Sequence, residues 1–427
     1  MTDSAVLRRL WAVVLFCAVA GGAGGCTPTA HINWSPDGAQ AAYFVPTGGK
    51  LLPGVGYLLD GGGKTTARLG PTFGSFAWSA DSKAVYFGGY DNTPPATDLA
   101  QREWLVDPKA APPPISDSSD GEYPPMVLCA WHDGAAERLV SLGNRYVLFV
   151  QLSPDQKWLA VTAAARDTGD QWRFELFVCS LATKTLHVVS ENCGMGACFT
   201  GPSRLAYAQA DGPTTTGSIV EEELRETADH LDRVPLADVL WDRTGCIAAV
   251  DDGLLFTTAG RVFPAKASKA AADQPPNLYH YSRADGKLTM IAESTGDLFA
   301  VSPDGRRILY IKDTPGIDGS PDRRELAAMN IDGTDGHVLS DISRYGSQSP
   351  MWPAWHGNDR VTFVSPGGAD LPGKPDEDPR MAFDVVDYRI TPTNSLEPAA
   401  TLSGDWPAEM KPAMRKADFQ PPPPPPP

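Results

Sequence analysis

The apolar residues of this chain gather in short runs, such as Ala41 to Val45, Ala84 to Phe87, Trp158 to Val161 and Ile308 to Ile311, separated by clusters of Gly, Pro, Asp and Ser. Apolar runs of about four to eight residues bounded by such turn formers read as β-strands. One signature precedes these four strands: Trp34-Ser35-Pro36-Asp37-Gly38, Trp78-Ser79-Ala80-Asp81-Ser82, Leu152-Ser153-Pro154-Asp155-Gln156 and Val301-Ser302-Pro303-Asp304-Gly305. Proline fixes φ at the second turn position, Asp or Ser bonds back to nearby amides, and Gly accepts the left-handed conformation that ends the turn. Each copy therefore predicts a tight hairpin. Weaker copies begin at Phe199, Trp241 and Trp355.

A second strand–turn–strand pattern follows most copies. It appears as Leu278 to Ser282 with Lys287 to Ala292, Leu326 to Ile331 with His337 to Leu339, and Glu175 to Leu181 with Lys184 to Val189. Tyr57 to Asp60 with Thr65 to Leu69, and Val127 to Trp131 with Arg138 to Leu142, read the same way. Two hairpins per repeat give four antiparallel strands. The seven starts, at 34, 78, 152, 199, 241, 301 and 355, lie 42 to 60 residues apart except for one interval of 74 that holds the proline-rich stretch around Pro112 to Pro114. These are blade-sized intervals.

The Trp-Ser-Pro-Asp-Gly hairpin followed by an apolar strand resembles the WD40-like repeat of the TolB type. That resemblance implies an all-β chain folded as a β-propeller, with seven four-stranded blades favoured and six or eight left open by Ser218 to Leu236 and Cys246 to Phe263. The first of these segments, with Glu221, Glu222, Glu223 and Glu226, fits either an inserted helix or an acidic hairpin. TolB carries an α/β domain ahead of its propeller; only an export signal precedes the first repeat here, so the expectation is a propeller-only relative. The expected organisation is a cleaved signal over 1–25, one propeller domain over 26–405, and a proline-rich disordered tail over 406–427 that ends in Pro421 to Pro427.

Gly and Pro, at 41 and 40 residues, make up about a fifth of the chain and argue against a helical bundle, while 42% apolar residues suffice for a large core. A formal net charge of −16 makes nucleic acid a poor partner. Arg8 and Arg9, the apolar run Leu10 to Ala20 and the small residues up to Gly25 read as a secretory signal. Ala23-Gly24-Gly25-Cys26 resembles a bacterial lipoprotein signal, which implies acylation of Cys26 and a tethered, extracytoplasmic body, expected to be monomeric, in the periplasm or at the cell surface; ordinary cleavage near Gly25 is the alternative. Ala23 departs from the usual Leu. Cys193 and Cys198 enclose a four-residue loop and are candidates for a local disulfide in an oxidising compartment.

Gly-x-Ser-x-Gly and His-Glu-x-x-His are both absent, and Gly63-Lys64-Thr65 lacks the first glycine of a phosphate loop. With four antiparallel strands per blade, the first-to-second and third-to-fourth turns share one face, and the longer second-to-third connections share the other. The longer segments are Tyr90 to Gln101, Ala163 to Gln171, Pro264 to Asn277, Lys312 to Arg323 and Ser365 to Arg380. They carry the candidate ligand-binding residues Arg166, Asp167, Asp170, Asp313, Asp318, Arg323, Arg324, Asp376, Glu377 and Asp378. No catalytic residue, metal ligand or cofactor is expected; converging carboxylates leave Ca²⁺ open. The expected role is non-enzymatic binding of a protein or cell-envelope component through this loop-rich face. The alternative is a propeller lyase or glycosidase with paired acids or a His cluster at a channel mouth.

Overall fold

The repeated turn closes the same way in all four copies. The serine hydroxyl bonds the aspartate carboxylate two residues on, at 2.6 Å in Ser35–Asp37, 2.7 Å in Ser79–Asp81 and Ser153–Asp155, and 2.6 Å in Ser302–Asp304. The same oxygen accepts the amide five residues on, from Gln40, Ala84, Trp158 and Arg307. The last turn residue is left-handed whether or not it is glycine, with φ of 70° at Gly38, 60° at Ser82, 59° at Gln156 and 70° at Gly305.

The computed structural model describes residues 30–420 apart from 47–53, 91–125, 144, 167–171, 211–215, 225–232, 241–243, 260–275, 316–320, 346–348, 350, 366–369 and 372–378. The described chain opens with β1 Ala30–Trp34, β2 Gln40–Val45, β3 Gly54–Asp60, β4 Thr65–Trp78, β5 Val85–Tyr90, β6 Met126–His132 and β7 Ala135–Gly143. Four-stranded sheets follow: β8 Tyr146–Leu152, β9 Trp158–Arg166, β10 Trp172–Ser180 and β11 Leu186–Ser190; then β12 Cys193–Phe199, β13 Arg204–Ala210, β14 Thr216–Glu223 and β15 Arg233–Leu240. Next come β16 Thr244–Val250, β17 Gly253–Ala259, β18 Pro276–Ser282 and β19 Leu288–Ala292, and then β20 Thr295–Val301, β21 Arg307–Pro315, β22 Pro321–Asn330 and β23 His337–Asp341. After β24 Met351–Trp352, the strands β25 Ala354–His356, β26 Arg360–Ser365, β29 Asp384–Ile390 and β30 Leu396–Thr401 form another, while β27 Asp370–Leu371, β28 Arg380–Ala382 and β31 Ala413–Arg415 make a small three-stranded sheet.

The first strands form one hydrogen-bonded order, β24-β1-β2-β3-β4-β5-β6-β7. Its β4, fourteen residues long, serves two neighbours in turn. Near its start Thr66 Oγ1 bonds Leu58 O of β3, and from Thr72↔Gly89 to Trp78↔Val85 it pairs with β5. Between these stretches Gly70 and Gly74 take φ of 98° and 84°, a conformation that a side chain resists.

The chain divides into two compact units, one over Leu69–Glu293 and one combining Val14–Arg68 with Ser294–Pro427. In the first, alternate residues of a strand enter different apolar layers. Phe177 and Cys179 pack with Leu128, Leu142 and Val161, whereas Leu176 and Val178 pack with Leu205 and Tyr207. Ile219 and Val239 then meet Phe256 and Tyr279. This period-two alternation, buried on both faces, is what a sheet stacked between sheets requires. In the second unit Tyr43, Tyr345, Phe363, Phe383 and Met414 share one cluster. Each such buried side chain contributes about 1.5–3 kcal/mol.

Two sequence expectations change, and one left open is decided. The first described hairpin of the fifth repeat turns at Asp251-Asp252, between Val250 and Gly253 of β16 and β17, later than the start expected at Trp241. A two-residue hairpin needs no Ser-Pro-Asp sequence, so the signature is absent there. Of the two readings left open for Ser218 to Leu236, the described residues take the acidic hairpin, with β14 paired with β15. The segment after 405 is ordered as far as Gln420: Trp406 Nε1 bonds Gly63 O at 2.6 Å, Tyr43 OH bonds Met410 O at 3.2 Å, β31 pairs with β28, and Gln420 N bonds Arg344 O at 2.9 Å. Apolar anchors Trp406, Met414 and Phe419, dispersed among prolines and charges, give the segment its docking energy without any strand-like pattern.

Candidate functional site

In each four-stranded sheet the second-to-third connections leave from one end and the first-to-second turns from the other. The connections at the first end include 91–125, 260–275 and the excursion from β26 to β29, whereas the Ser-x-Asp turns span only a few residues. At the turn end the third-to-fourth connection around 225–232 is the exception.

The strands run further toward the connections than the apolar pattern indicates. Arg166 closes β9 opposite Trp172, and Asp313 stands in β21 opposite Arg324 of β22. Charged residues interrupt the apolar alternation and so read as loop, yet a cross-strand ion pair continues the ladder. Arg324 Nε meets Asp313 Oδ1 at 2.8 Å, and Arg323 reaches Glu325 Oε1 at 2.8 Å and Asp341 Oδ2 at 3.7 Å. Burial raises the Asp341 carboxyl, but bonds from the Ser343 hydroxyl and amide together with nearby Arg323 outweigh it and hold the group below its ordinary value. Asp313, Arg323 and Arg324 are thus brought together. Asp167, Asp170, Asp318, Asp376, Glu377, Asp378 and Cys26 lie outside the described residues.

Several charged groups escaped the sequence pattern because they stand inside strands. Glu175 of β10, only 1% exposed, receives Arg145 Nε, and Arg173 Nε at 2.9 Å. The Arg145 guanidinium also sits 5.4 Å from the centre of the Phe177 ring. Along β14 each glutamate has its own arginine: Glu221 takes a bidentate pair from Arg283 at 3.0 and 2.6 Å, Glu222 takes Arg233 Nε at 2.9 Å, and Glu223 takes Arg204 Nε at 2.8 Å. Strand alternation sends Glu221 and Glu222 to opposite faces, where Arg283 joins from beyond β18 and Arg233 also bonds Val189 O of β11. The Glu221–Arg283 pair and the Arg233–Val189 bond tie neighbouring sheets, while Glu222–Arg233 and Glu223–Arg204 brace strands within one sheet. The Arg-x-Glu spacing in Arg173 to Glu175 and Arg323 to Glu325 is the one sequence signal that could have exposed two of them.

In the other unit His356 Nδ1 donates to Asp387 Oδ2 at 2.9 Å, Arg360 donates to Nε2 at 2.8 Å, and the Trp34 indole stacks on the imidazole at 3.5 Å. Both ring nitrogens are engaged and His356 is 3% exposed, so the pair is a staple between β1 and β25 and offers no base to a substrate. Among the described residues no group of three or more His, Cys, Asp or Glu could hold a metal ion, and no helix is long and apolar enough to cross a membrane.

The predicted local disulfide is not formed. Cys193 opens β12 and Cys198 is its penultimate residue, and the two are free thiols buried in separate apolar clusters. Across the bulge in β12 they pair with Gln209 and Ala206, three residues apart on β13, which sets their Cα atoms roughly 10 Å apart, beyond the ~7 Å a disulfide spans. Burial pushes both thiols well above their ordinary range, and Cys179 up to about 12.

No protein-family model matches the sequence, and no curated protein matches it. Among solved structures, a Mycobacterium tuberculosis puromycin-hydrolyzing peptidase is 13% identical with a TM-score of 0.50, over 87% of this chain and 53% of that one. The Pyrococcus horikoshii acylaminoacyl peptidase is 8% identical (TM-score 0.49), over 86% of this chain and 51% of that one. TolB from Acinetobacter baumannii is 14% identical (TM-score 0.40), over 84% and 76%. The chain thus spans about half the length of the two peptidases. With the succession of four-stranded antiparallel sheets, the likeness to the first of these supports a β-propeller fold.

Proposed function

We propose that this chain is an exported, lipid-anchored β-propeller that binds a protein or cell-envelope ligand through the second-to-third-strand connections of its blades. This reading counts the eight-stranded order as two blades that share β4 and takes the propeller to have seven four-stranded blades, a count that the succession of four-stranded sheets supports. The observation that carries the functional reading is the asymmetry of the connections: Ser-x-Asp hairpins are closed by their own hydrogen bonds, while the long segments gather at the opposite ends of the sheets. A rigid scaffold with long connections at one end is the usual arrangement for recognition. The carboxylates and histidines described above are matched to arginines or engaged in staples, which favours binding over proton-transfer chemistry. The likeness to peptidases brings no catalytic elbow with it, since Gly-x-Ser-x-Gly is absent from the sequence. Acylation of Cys26 places the body at an envelope membrane.

The test is capture from solubilised envelopes with the intact chain and with a variant whose 316–320 connection is replaced by a short Gly-Ser turn. Excising all of Lys312 to Arg323 would cut β21 and β22, so the replacement stops at the strand ends. Loss of one captured component in the variant supports the reading; unchanged capture by this and by similarly shortened 260–275 and 372–378 variants refutes it. Mass measurement of the mature N-terminus tests acylation, and an unmodified Cys26 contradicts the anchor.

A further inference from the structure

His356 Nε2 stands between two groups that make opposite demands on it. Arg360 Nη2, which only donates, lies 2.8 Å away, and the carbonyl oxygen of Gly38, which only accepts, lies 3.1 Å away. The first proton of the ring is already assigned: Asp387 Oδ2 is 2.9 Å from Nδ1 and also receives Arg360 Nη1 at 2.8 Å, so this oxygen is an acceptor and Nδ1 carries hydrogen. Without a second proton, Nε2 accepts from Arg360 and has nothing to give Gly38. With one, it donates to Gly38 O and repels Arg360. The two bonds exclude each other, so one packed site holds two arrangements of the imidazole.

The neighbours of the ring divide over its charge. The Trp34 indole lies over it with centroids 3.5 Å apart and 5° between the planes, and an aromatic face attracts a cation. Asp387, buried on β29, holds its carboxylate on the Nδ1 side, with Thr362 Oγ1 donating to its other oxygen at 3.3 Å. Asp37, beside Gly38, is taken up by the Ser35 hydroxyl and the Ala39 amide. Arg389 stands opposite Arg360 on β29, and Asp359 precedes Arg360 in the hairpin turn. From β20 the contact is neutral, Ala300 O receiving the Trp355 indole, over whose ring Arg307 lies. The close group that opposes charge is Arg360, and its side chain is 34% exposed, so it has solvent to turn into. Gly38 sits in the β1–β2 turn and His356 in β25, both in the unit that combines Val14–Arg68 with Ser294–Pro427. The choice therefore decides whether a hydrogen bond joins the two sheets at this point.

We propose that His356 is a pH-operated clasp: when Nε2 takes a proton from solvent it exchanges Arg360 for Gly38 O, bonding β25 to the β1–β2 turn and releasing Arg360 Nη2 to solvent. Arg360 keeps its own proton, so the site gains one positive charge. The bond to Gly38 is present on the acid side of the transition and is lost as pH rises through it. The clasp lies among the self-closed turns and is independent of what the opposite ends of the sheets recognise.

The test follows two NMR signals of the full chain through a pH titration: the ring nitrogens of His356, identified by their loss in His356→Gln, and the carbonyl carbon of Gly38, read through the Ala39 amide. As pH falls, Nε2 is expected to gain its proton and the Gly38 carbonyl to show a new hydrogen bond over the same interval. In His356→Gln the Gly38 signal is expected to lose that response. Arg360→Met removes the competing donor and the like charge, so both signals are expected to change at a pH higher by about one unit or more. A purely structural histidine would move neither the carbonyl signal nor its dependence on Arg360. Should either variant fail to fold, the coincidence of the two transitions in the unaltered chain decides the matter. An Nε2 that stays unprotonated down to the pH of unfolding, protonation with no response at Gly38, or an unmoved transition in folded Arg360→Met overturns the proposal.

Discussion

At the fourth turn copy a Cβ on Gly305 would meet nothing within 4 Å, yet the residue sits at φ 70°. Gly305→Ala therefore isolates backbone strain and is expected to cost about 1 kcal/mol in chemical denaturation. The turn aspartates give a second residue-level test. The Ser79 hydroxyl and Lys83 amide hold Asp81 below its ordinary value; for Asp155 and Asp304 burial opposes the shift but the same hydroxyl and amide bonds prevail. A carboxyl depressed by folding contributes stability above its unfolded value of about 3.9 and loses it as pH falls through the lower folded value. Carboxyl NMR titration should place these midpoints below about 3.9, and ordinary midpoints would contradict the turn geometry. His132 shifts the other way: the bond to Glu137, then that to Asp133, raises it. Its contribution is full below about 6.5 and is lost as pH rises through the folded value. Glu137→Gln should return its NMR midpoint toward that figure. Iodoacetamide labelling of the denatured, unreduced chain should modify both Cys193 and Cys198; protection of the two together would mean the disulfide forms after all.

Hairpins with Ser-x-Asp chemistry were legible in the sequence because the side chains that close the turn lie within the turn. The β16–β17 hairpin was not, since two residues suffice there and the constraint lies elsewhere: a Cβ on Gly253 would fall 1.8 Å from Tyr281 O. Nor were the strand ends Arg166 and Asp313, or the buried arginine–glutamate pairs, whose partners are distant in sequence, as Glu221 and Arg283 are. Those pairs make a prediction for elements. Arg233→Met leaves the fully buried Glu222 with the Tyr207 hydroxyl at 2.5 Å as its remaining described partner. The cost should be about 3 kcal/mol, near the low end for a broken buried pair because Arg233 is partly exposed. A loss under ~0.5 kcal/mol, the size of an ordinary surface substitution, would show that β14 and β11 are not clamped there.

Across the whole molecule, two properties separate cleanly. Scaffold stability comes from sheet stacking, from arginine–glutamate clamps and, in the unit containing Ser294–Pro427, from the docked segment through Gln420. Recognition is assigned to the opposite ends of the sheets from the self-closed turns. The most direct measurement places a photo-cross-linking residue at Arg323, beside the 316–320 connection, or at Lys83 in a Ser-x-Asp turn, in the full chain on living cells. The account predicts a discrete cross-linked envelope partner from position 323 and none from position 83. The reverse pattern would contradict it.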